Sequence, residues 1–186
     1  GLMSGRLVYL IGASGAGKDS LMSFARDRLP RTAPIVLAHR YITRPHGAGG
    51  EDYVPLDEIE FERRLRHGCF TMAWRSHGLR YGIGVEIHCW MASGLNVVVN
   101  GSRAYLDQAS AQFPDLVPVL VQASQTTLRR RLLARGREGG EELERRISRA
   151  VGLDRQVDHP ALRRIENDAD LAEAGQRFLA LLTGRA

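Results

Sequence analysis

Short, largely apolar runs separated by amphipathic segments form the pattern along this chain. Five runs, at 6–11, 35–38, 95–99, 117–121 and 162–165, are expected to be strands. The runs 35–38 and 95–99 are rich in β-branched residues and lack a polar alternation, which is typical of parallel strands covered on both faces. Strands that alternate with helical segments predict an α/β domain, with a parallel sheet as the middle of three layers.

Capping residues mark the expected helix boundaries. The first helix is expected over 19–29, because Pro30 follows it. Asp57 and Glu60 form a capping box that begins a later helix, and Ser124 is the N-cap of another. Apolar faces at helical spacing are formed by Leu128, Leu132 and Leu133, by Leu143, Ile147, Ala150 and Val151, and by Leu171, Ala174, Phe178, Leu181 and Leu182.

The length of 186 residues fits one domain, and two segments interrupt its regular alternation. The excursion 40–84 is interpreted as an acceptor-binding insert, and the Gly- and Glu-rich stretch 135–142 as a mobile lid. No apolar run is long enough to span a membrane and no secretory leader is visible, so a cytoplasmic protein is expected. Cys69 and Cys89 have no metal-site spacing and are expected to be buried free thiols.

The formal net charge of +5 is compatible with a nucleic acid, an anionic membrane or a phosphorylated small molecule as partner. Basic residues number 26, and Lys18 is the only lysine among them. Lys18 ends the run Gly12-Ala13-Ser14-Gly15-Ala16-Gly17-Lys18, which satisfies G-x-x-x-x-G-K. In that pattern backbone N–H groups surround nucleotide phosphates and the lysine reaches the β and γ oxygens. A flexible point charge suits this task better than a planar guanidinium.

Asp19 stands where this pattern normally has the Ser or Thr that contacts Mg²⁺. Two interpretations are open. Asp19 is either a carboxylate favoured at a helix N-terminus or, with Ser20, a ligand of Mg²⁺.

The chain resembles guanylate kinase and its relatives over nearly its whole length. The matching motifs are Thr43-Arg44, Glu51-Asp52-Tyr53, Gly68-x-Phe70, Tyr81-Gly82, Arg131-x-x-x-Arg135-Gly136 and Asn167-Asp168. The resemblance implies that Arg44, Tyr53 and Tyr81 hold the acceptor phosphate, and that Arg131, Arg135, Arg137 and Arg146 form the lid and the clamp on the transferring phosphoryl group. Where that family reads guanine with polar groups, this chain has Arg40, Met72, Ile83 and Asn100. Apolar groups there leave the base donors unpaired, which disfavours GMP.

A closer resemblance is to the ribose 1,5-bisphosphate phosphokinases of phosphonate utilisation. It rests on residues 17–21, 38–44, Trp74, 77–79, 81–87 and 100–103, including the Asp after the loop lysine. It implies ATP and Mg²⁺ as cofactors and a phosphorylated sugar as acceptor, with phosphoribosyl diphosphate as product. Arg40 and Arg103 would then face the space that a guanine base has vacated.

These expectations assign the site as follows. Phosphoryl transfer is assigned to Lys18, Arg135 and Arg146; nucleotide binding to Gly12, Ala13, Ser14, Gly15, Ala16, Gly17, Lys18, Asp19, Ser20, Arg131 and Arg135; acceptor binding to Arg40, Arg44, Tyr53, Tyr81, Asn100, Arg103 and Arg137; and Mg²⁺ to Asp19 and Ser20. A guanylate or other nucleoside monophosphate kinase, a non-catalytic interaction module and a nucleic-acid-binding protein are the alternatives. Neither nucleic acid nor a membrane is expected as a partner, and the sequence leaves the oligomeric state open.

Overall fold

The fold is described from a computed structural model, over residues 4–47, 51–136 and 139–184. Its strands are β1 (Leu7–Gly12), β2 (Ile35–Leu37), β3 (Arg40–Ile42), β4 (Tyr53–Pro55), β5 (Phe70–Ser76), β6 (Leu79–Gly84), β7 (Asn96–Asn100), β8 (Val117–Gln122) and β9 (Arg163–Glu166). Its helices are α1 (Lys18–Arg28), α2 (Glu58–Arg66), α3 (Glu86–Ala92), α4 (Leu106–Gln112), α5 (Gln125–Ala134), α6 (Gly140–Gln156) and α7 (Leu171–Leu182).

Five strands form a parallel sheet in the order β2-β7-β1-β8-β9. Ile35 pairs with Asn96 at one edge, and Val119 pairs with Arg163 at the other. All five strands expected from the sequence are present in this sheet, within one or two residues of their expected ends. The predicted parallel α/β fold class is therefore confirmed.

The excursion 40–84 contains a second sheet, of four strands in the order β4-β3-β6-β5, which the sequence analysis did not predict. β5 and β6 form a hairpin whose turn residues, His77 and Gly78, have φ values of 50° and 77°. Positive φ at both turn positions matches the right-handed twist of the flanking strands. His77 therefore has a structural role in this turn.

The described residues group into two compact units. The first comprises 4–9, 34–101 and 105–116, and the second comprises 10–33, 102–104 and 117–184. The second sheet lies in the first unit, and the Gly-rich loop lies in the second. The interpretation of 1–186 as one domain stays a prediction.

The predicted caps are confirmed, but two positions expected to be buried are exposed. Asp57 accepts a hydrogen bond from the Glu60 N–H at 2.7 Å, and Ser124 accepts one from the Thr127 N–H at 3.2 Å. Leu133 and Leu171 were expected on buried faces but are 50% and 37% exposed. Each lies near a helix end.

The expectation of buried thiols was wrong, because Cys69 and Cys89 are both exposed. Cys69 follows the Gly68 turn after α2, and Cys89 lies on the open side of α3. Across the part of the chain that the structure describes, no helix is long and apolar enough to cross a membrane.

Candidate active site

The Gly-rich loop connects β1 to α1 in the second unit. Gly17 is the N-cap of α1 and has a left-handed φ of 96°. Because glycine has no side chain, the helix has no side-chain cap. Gly12 has a φ of 153°, and a Cβ there would lie 2.5 Å from the Val121 carbonyl oxygen. The helix N-terminus, without a side-chain cap, leaves backbone N–H groups available to bind an anion. The loop therefore has the geometry of a phosphate-binding loop.

Two side chains outside the loop bind its backbone. Arg131 Nη1 donates to the carbonyl oxygens of Gly15 at 2.9 Å and Ala16 at 3.3 Å, and its Nη2 donates to that of Asn167 at 2.7 Å. Asn167 Nδ2 donates to the same Ala16 oxygen at 2.8 Å. Burial, followed by the neighbouring Arg130 charge, lowers the pKa of the half-buried Arg131 guanidinium.

Lys18, Asp19 and Ser20 form the first turn of α1. Lys18 is half-buried, whereas Asp19 and Ser20 are exposed. No group of three or more His, Cys, Asp or Glu residues suited to a metal occurs in the described ranges. Mg²⁺ bound with a nucleotide commonly takes only one or two protein oxygens, with phosphates and waters completing its shell. One carboxylate and one hydroxyl at this helix end fit that requirement.

A buried carboxylate faces Arg103 in the second unit. Asp154 in α6 is 4% exposed and forms an ion pair with Arg103, which also donates to the Ala150 carbonyl oxygen at 3.0 Å. Burial raises the pKa of the Asp154 carboxyl, while Arg103 and, more weakly, Arg164 and Lys18 lower it. Arg103 is therefore already bound to an acidic partner, and the sequence analysis did not identify Asp154. Its position on the buried side of α6, beyond Ile147, was the available signal.

The expected lid residues lie on and between two packed helices. Leu128 and Leu132 of α5 form a buried cluster with Leu143 and Ile147 of α6. Arg135 is the exposed C-cap of α5, and Arg146 is half-buried on α6. Arg137 lies outside the described residues. The arginine roles in the lid stay predictions.

The first unit brings together the three residues expected to hold the acceptor phosphate. The Arg44 guanidinium lies 5.1 Å from the centre of the Tyr53 ring, and its Nη2 is 3.5 Å from the Tyr81 hydroxyl. Trp74 stacks on Tyr81 at 5.7 Å between ring centres. The Trp74 side chain therefore packs against Tyr81, and one guanidinium and two phenol side chains lie together in the first unit. Their role in binding the acceptor phosphate stays a prediction.

Beside them, Arg40 is bound to a carboxylate. Its Nε donates to Glu51 Oε2 at 2.8 Å and its second nitrogen binds Oε1, so the pair is bidentate. Asn100 Nδ2 donates to Glu51 Oε1 at 3.1 Å, and the Arg40 guanidinium also lies 4.7 Å from the Tyr81 ring centre. Arg40 and Asn100 thus bind the same carboxylate. Glu51 was identified only as part of a motif and not as a site residue.

Met72 and Ile83 are core residues of the second sheet, 1% and 0% exposed. They pair with each other across β5 and β6. Their apolar side chains are packed and cannot be replaced by polar readers of a base without burying new polar atoms.

Comparisons with known proteins identify the family. No family model matches the chain. A relative from Desulfomicrobium baculatum is 52% identical over 177 residues, which cover 95% of this chain and 94% of the relative. Another, from Thiobacillus denitrificans, is 50% identical over 184 residues, covering 98% and 95%. Both are named ribose 1,5-bisphosphate phosphokinase PhnN. This chain belongs to the ribose 1,5-bisphosphate phosphokinase family.

The fold of this family member is also that of guanylate kinase. A solved guanylate kinase from Anaplasma phagocytophilum aligns with a TM-score of 0.74 at 17% identity, covering 98% of this chain and 86% of that one. At this identity the likeness concerns the fold alone. The family and the guanylate-kinase-like fold expected from the sequence are both confirmed, and a P-loop kinase implies use of ATP.

Proposed function

We propose that the chain transfers the γ-phosphoryl group of ATP to the 1-phosphate of ribose 1,5-bisphosphate, giving 5-phosphoribosyl 1-diphosphate and ADP. The match over nearly the full length to kinases named for this substrate carries the proposal. An intact phosphate-binding loop and the grouping of Arg44, Tyr53 and Tyr81 support it.

In this reaction an oxygen of the acceptor phosphate attacks the γ phosphorus. The new O–P bond forms as the bond between the γ phosphorus and the β–γ bridging oxygen breaks, and ADP leaves with that electron pair. A phosphate monoester has a second pKa near 6, so the attacking oxygen is largely ionised at neutral pH. The protein therefore needs no general base, and its task is to position the groups and to stabilise charge.

Each site residue then has a role. Lys18 stabilises the charge that develops on the β and γ oxygens, and Arg135 and Arg146 bind the transferring group. Arg44, Tyr53 and Tyr81 bind the accepting phosphate, while Arg40 binds the second phosphate of the sugar in exchange for Glu51.

Mg²⁺ would be held at the first turn of α1 by Asp19, with Ser20 beside it, and would supply charge neutralisation on the phosphates. Asp19→Asn retains much of the capping ability but removes the charge. We therefore expect a raised Mg²⁺ requirement and a lower kcat, measured by titrating Mg²⁺ at saturating ATP. An unchanged Mg²⁺ dependence would leave Asp19 with only its role at the helix end.

A panel of acceptors tests the function. Ribose 1,5-bisphosphate, ribose 5-phosphate, GMP and AMP are incubated separately with ATP and Mg²⁺, and the products are identified by mass. The expected result is one ADP per 5-phosphoribosyl 1-diphosphate from the bisphosphate alone. Lys18→Ala is the matched control for contaminating kinases. Preference for GMP would make the chain a guanylate kinase, and no turnover with any acceptor would make it an interaction module.

A further inference from the structure

Arg131 and Asn167 make their hydrogen bonds at the back of the phosphate loop, on carbonyl oxygens. The guanidinium of Arg131 donates three hydrogen bonds to backbone carbonyl oxygens, those of Gly15, Ala16 and Asn167. Asn167 is 3% exposed, and its Nδ2 shares the Ala16 oxygen with Arg131. A carbonyl oxygen accepts and does not donate, so the amide nitrogen of Asn167 must face the loop.

Peptide geometry converts these contacts into a direction for the loop N–H groups. The C=O of Ala16 and the N–H of Gly17 belong to one planar trans peptide and point in opposite directions. Holding the oxygen towards Arg131 and Asn167 therefore holds the Gly17 N–H away from them. The Ala16 N–H is fixed directly, since it donates to the Ala13 carbonyl oxygen at 3.1 Å.

The contacts also keep partial negative charge away from a bound anion. A loop peptide that rotates would turn its carbonyl oxygen towards the phosphates, where it would repel them. Two donors on the Ala16 oxygen oppose that rotation. Gly17 has the φ of 96° that this arrangement needs, and a Cβ at this residue would lie 2.3 Å from Asn167 Nδ2.

The backbone of Asn167 is itself held by a hydrogen bond. The Asn167 N–H donates to the Gln122 carbonyl oxygen at 2.7 Å, at the end of β8. Among the described residues, the buried Oδ1 of Asn167 has no hydrogen-bond partner. A buried acceptor without a partner costs free energy, and the donor contact of the same amide with the Ala16 oxygen offsets part of that cost.

We propose that Arg131 and Asn167 are positioning residues that hold the phosphate loop in its binding conformation through the carbonyl oxygens of Gly15 and Ala16. Arg131 on this view does not clamp the transferring phosphoryl group. The proposal rests on the nucleotide-binding half of the proposed function and is independent of the acceptor.

Binding of ADP and of inorganic tripolyphosphate separates this role from the alternatives. ADP has no γ-phosphoryl group, and tripolyphosphate has no base. We expect Arg131→Ala and Asn167→Ala each to weaken both ligands by about tenfold or more, measured by calorimetry. The Arg131→Lys variant should also bind both ligands weakly, because one ammonium group cannot bridge three carbonyl oxygens as the guanidinium does. The double variant should lose less than the product of the two single losses, because both side chains hold one oxygen.

Arg130→Ala is the matched control, since Arg130 is the exposed neighbour of Arg131 on α5. Its ADP affinity should equal that of the wild type. Free energies of unfolding of all variants, measured in urea, show whether each is folded at the temperature of the binding experiment. If Arg131→Ala is unfolded, Arg131→Lys carries the test.

Three results would overturn the proposal. Normal ADP affinity with a lower kcat in Arg131→Ala would return this residue to the phosphoryl clamp, and retained binding in Arg131→Lys would reduce its role to charge. Loss of ADP but not of tripolyphosphate in Asn167→Ala would place Asn167 at the base. Failure of the wild type to bind ADP would instead contradict the proposed function itself.

Discussion

Lys18 is the only lysine in the sequence, and it is the first residue of α1. We expect Lys18→Ala to lower kcat to less than about a tenth of the wild-type value, because the ammonium stabilises charge that develops during transfer. Initial rates of ADP formation with ribose 1,5-bisphosphate measure this. Arg26→Ala, on the exposed side of the same helix, is the control. A folded Lys18→Ala protein of near-normal rate would remove the loop from the mechanism.

Asp154 and Arg103 form an ion pair whose side chains are only 6% and 18% exposed. Arg103→Leu leaves the carboxylate buried without this partner, and we expect a loss of about 3 kcal/mol in the free energy of unfolding at pH 7. Burial already raises the pKa of the Asp154 carboxyl, and losing the Arg103 charge raises it further. An acid with a raised folded pKa is favoured in its protonated form, so its stability contribution is lost as pH rises through that pKa.

The loss in the free energy of unfolding caused by Arg103→Leu should therefore be larger at pH 7 than at pH 5. Urea unfolding of the variant and the wild type at both pH values measures this. The control is Arg129→Leu, whose partner Glu144 is exposed in an ion pair with 37% and 50% exposed side chains. Exposed pairs contribute little, so this variant should differ little from the wild type. An equal deficit at both pH values would show that Asp154 does not titrate between them.

At the scale of elements, helix α6 places two neighbouring arginines in different surroundings. Arg146 is half-buried and its neighbour Arg145 is exposed. We expect Arg146→Ala to lower kcat strongly with a smaller change in ATP affinity, because a lid residue meets the phosphoryl group after closure. Arg145→Ala should leave both unchanged. Separate fits of kcat and KM decide, and a change in KM alone would place Arg146 at the initial ATP contact.

Elements were predictable where local chemistry defines them. Ser124 and Asp57 are caps because their side-chain oxygens satisfy N–H groups three residues away, which a single sequence displays. The second sheet was missed because β3 and β4 have three residues each, too few for a period to appear. The hairpin turn at His77-Gly78 is also not one of the common Asn-Gly or Asp-Gly pairs.

At the scale of the whole molecule, the phosphate loop can be recognised in the sequence and arginines can be proposed for the acceptor, but the acidic partners of those arginines cannot be predicted. Lys18 is recognisable because its neighbours in sequence define its surroundings. Glu51 binds Arg40 from 11 residues away, and Asp154 binds Arg103 from 51 residues away. No local pattern selects those carboxylates from the 21 acidic residues of the chain. Long-range ion pairs therefore had to be read from the structure.

Substitutions of Arg40 and Glu51 should change the KM for the acceptor in opposite directions, which tests the proposed acceptor site. The side chains are 12% and 9% exposed, so removing either one leaves the other buried without its counter-ion. If Arg40 binds the second phosphate of the acceptor, Arg40→Gln should raise the KM for ribose 1,5-bisphosphate about tenfold or more. Glu51→Gln should lower that KM, because the phosphate no longer has to displace a carboxylate.

Kinetics with ribose 1,5-bisphosphate and with GMP, followed as the ratio of kcat/KM, measure this preference independently of the amount of folded enzyme. Both variants lose stability, and a general loss cannot move KM in opposite directions. Arg80→Gln is the control, because Arg80 also has an acidic partner, Glu62 at 2.9 Å, but no assigned acceptor role. A rise in KM in both Arg40→Gln and Glu51→Gln would make the pair a structural unit, and the sugar's second phosphate would then bind elsewhere.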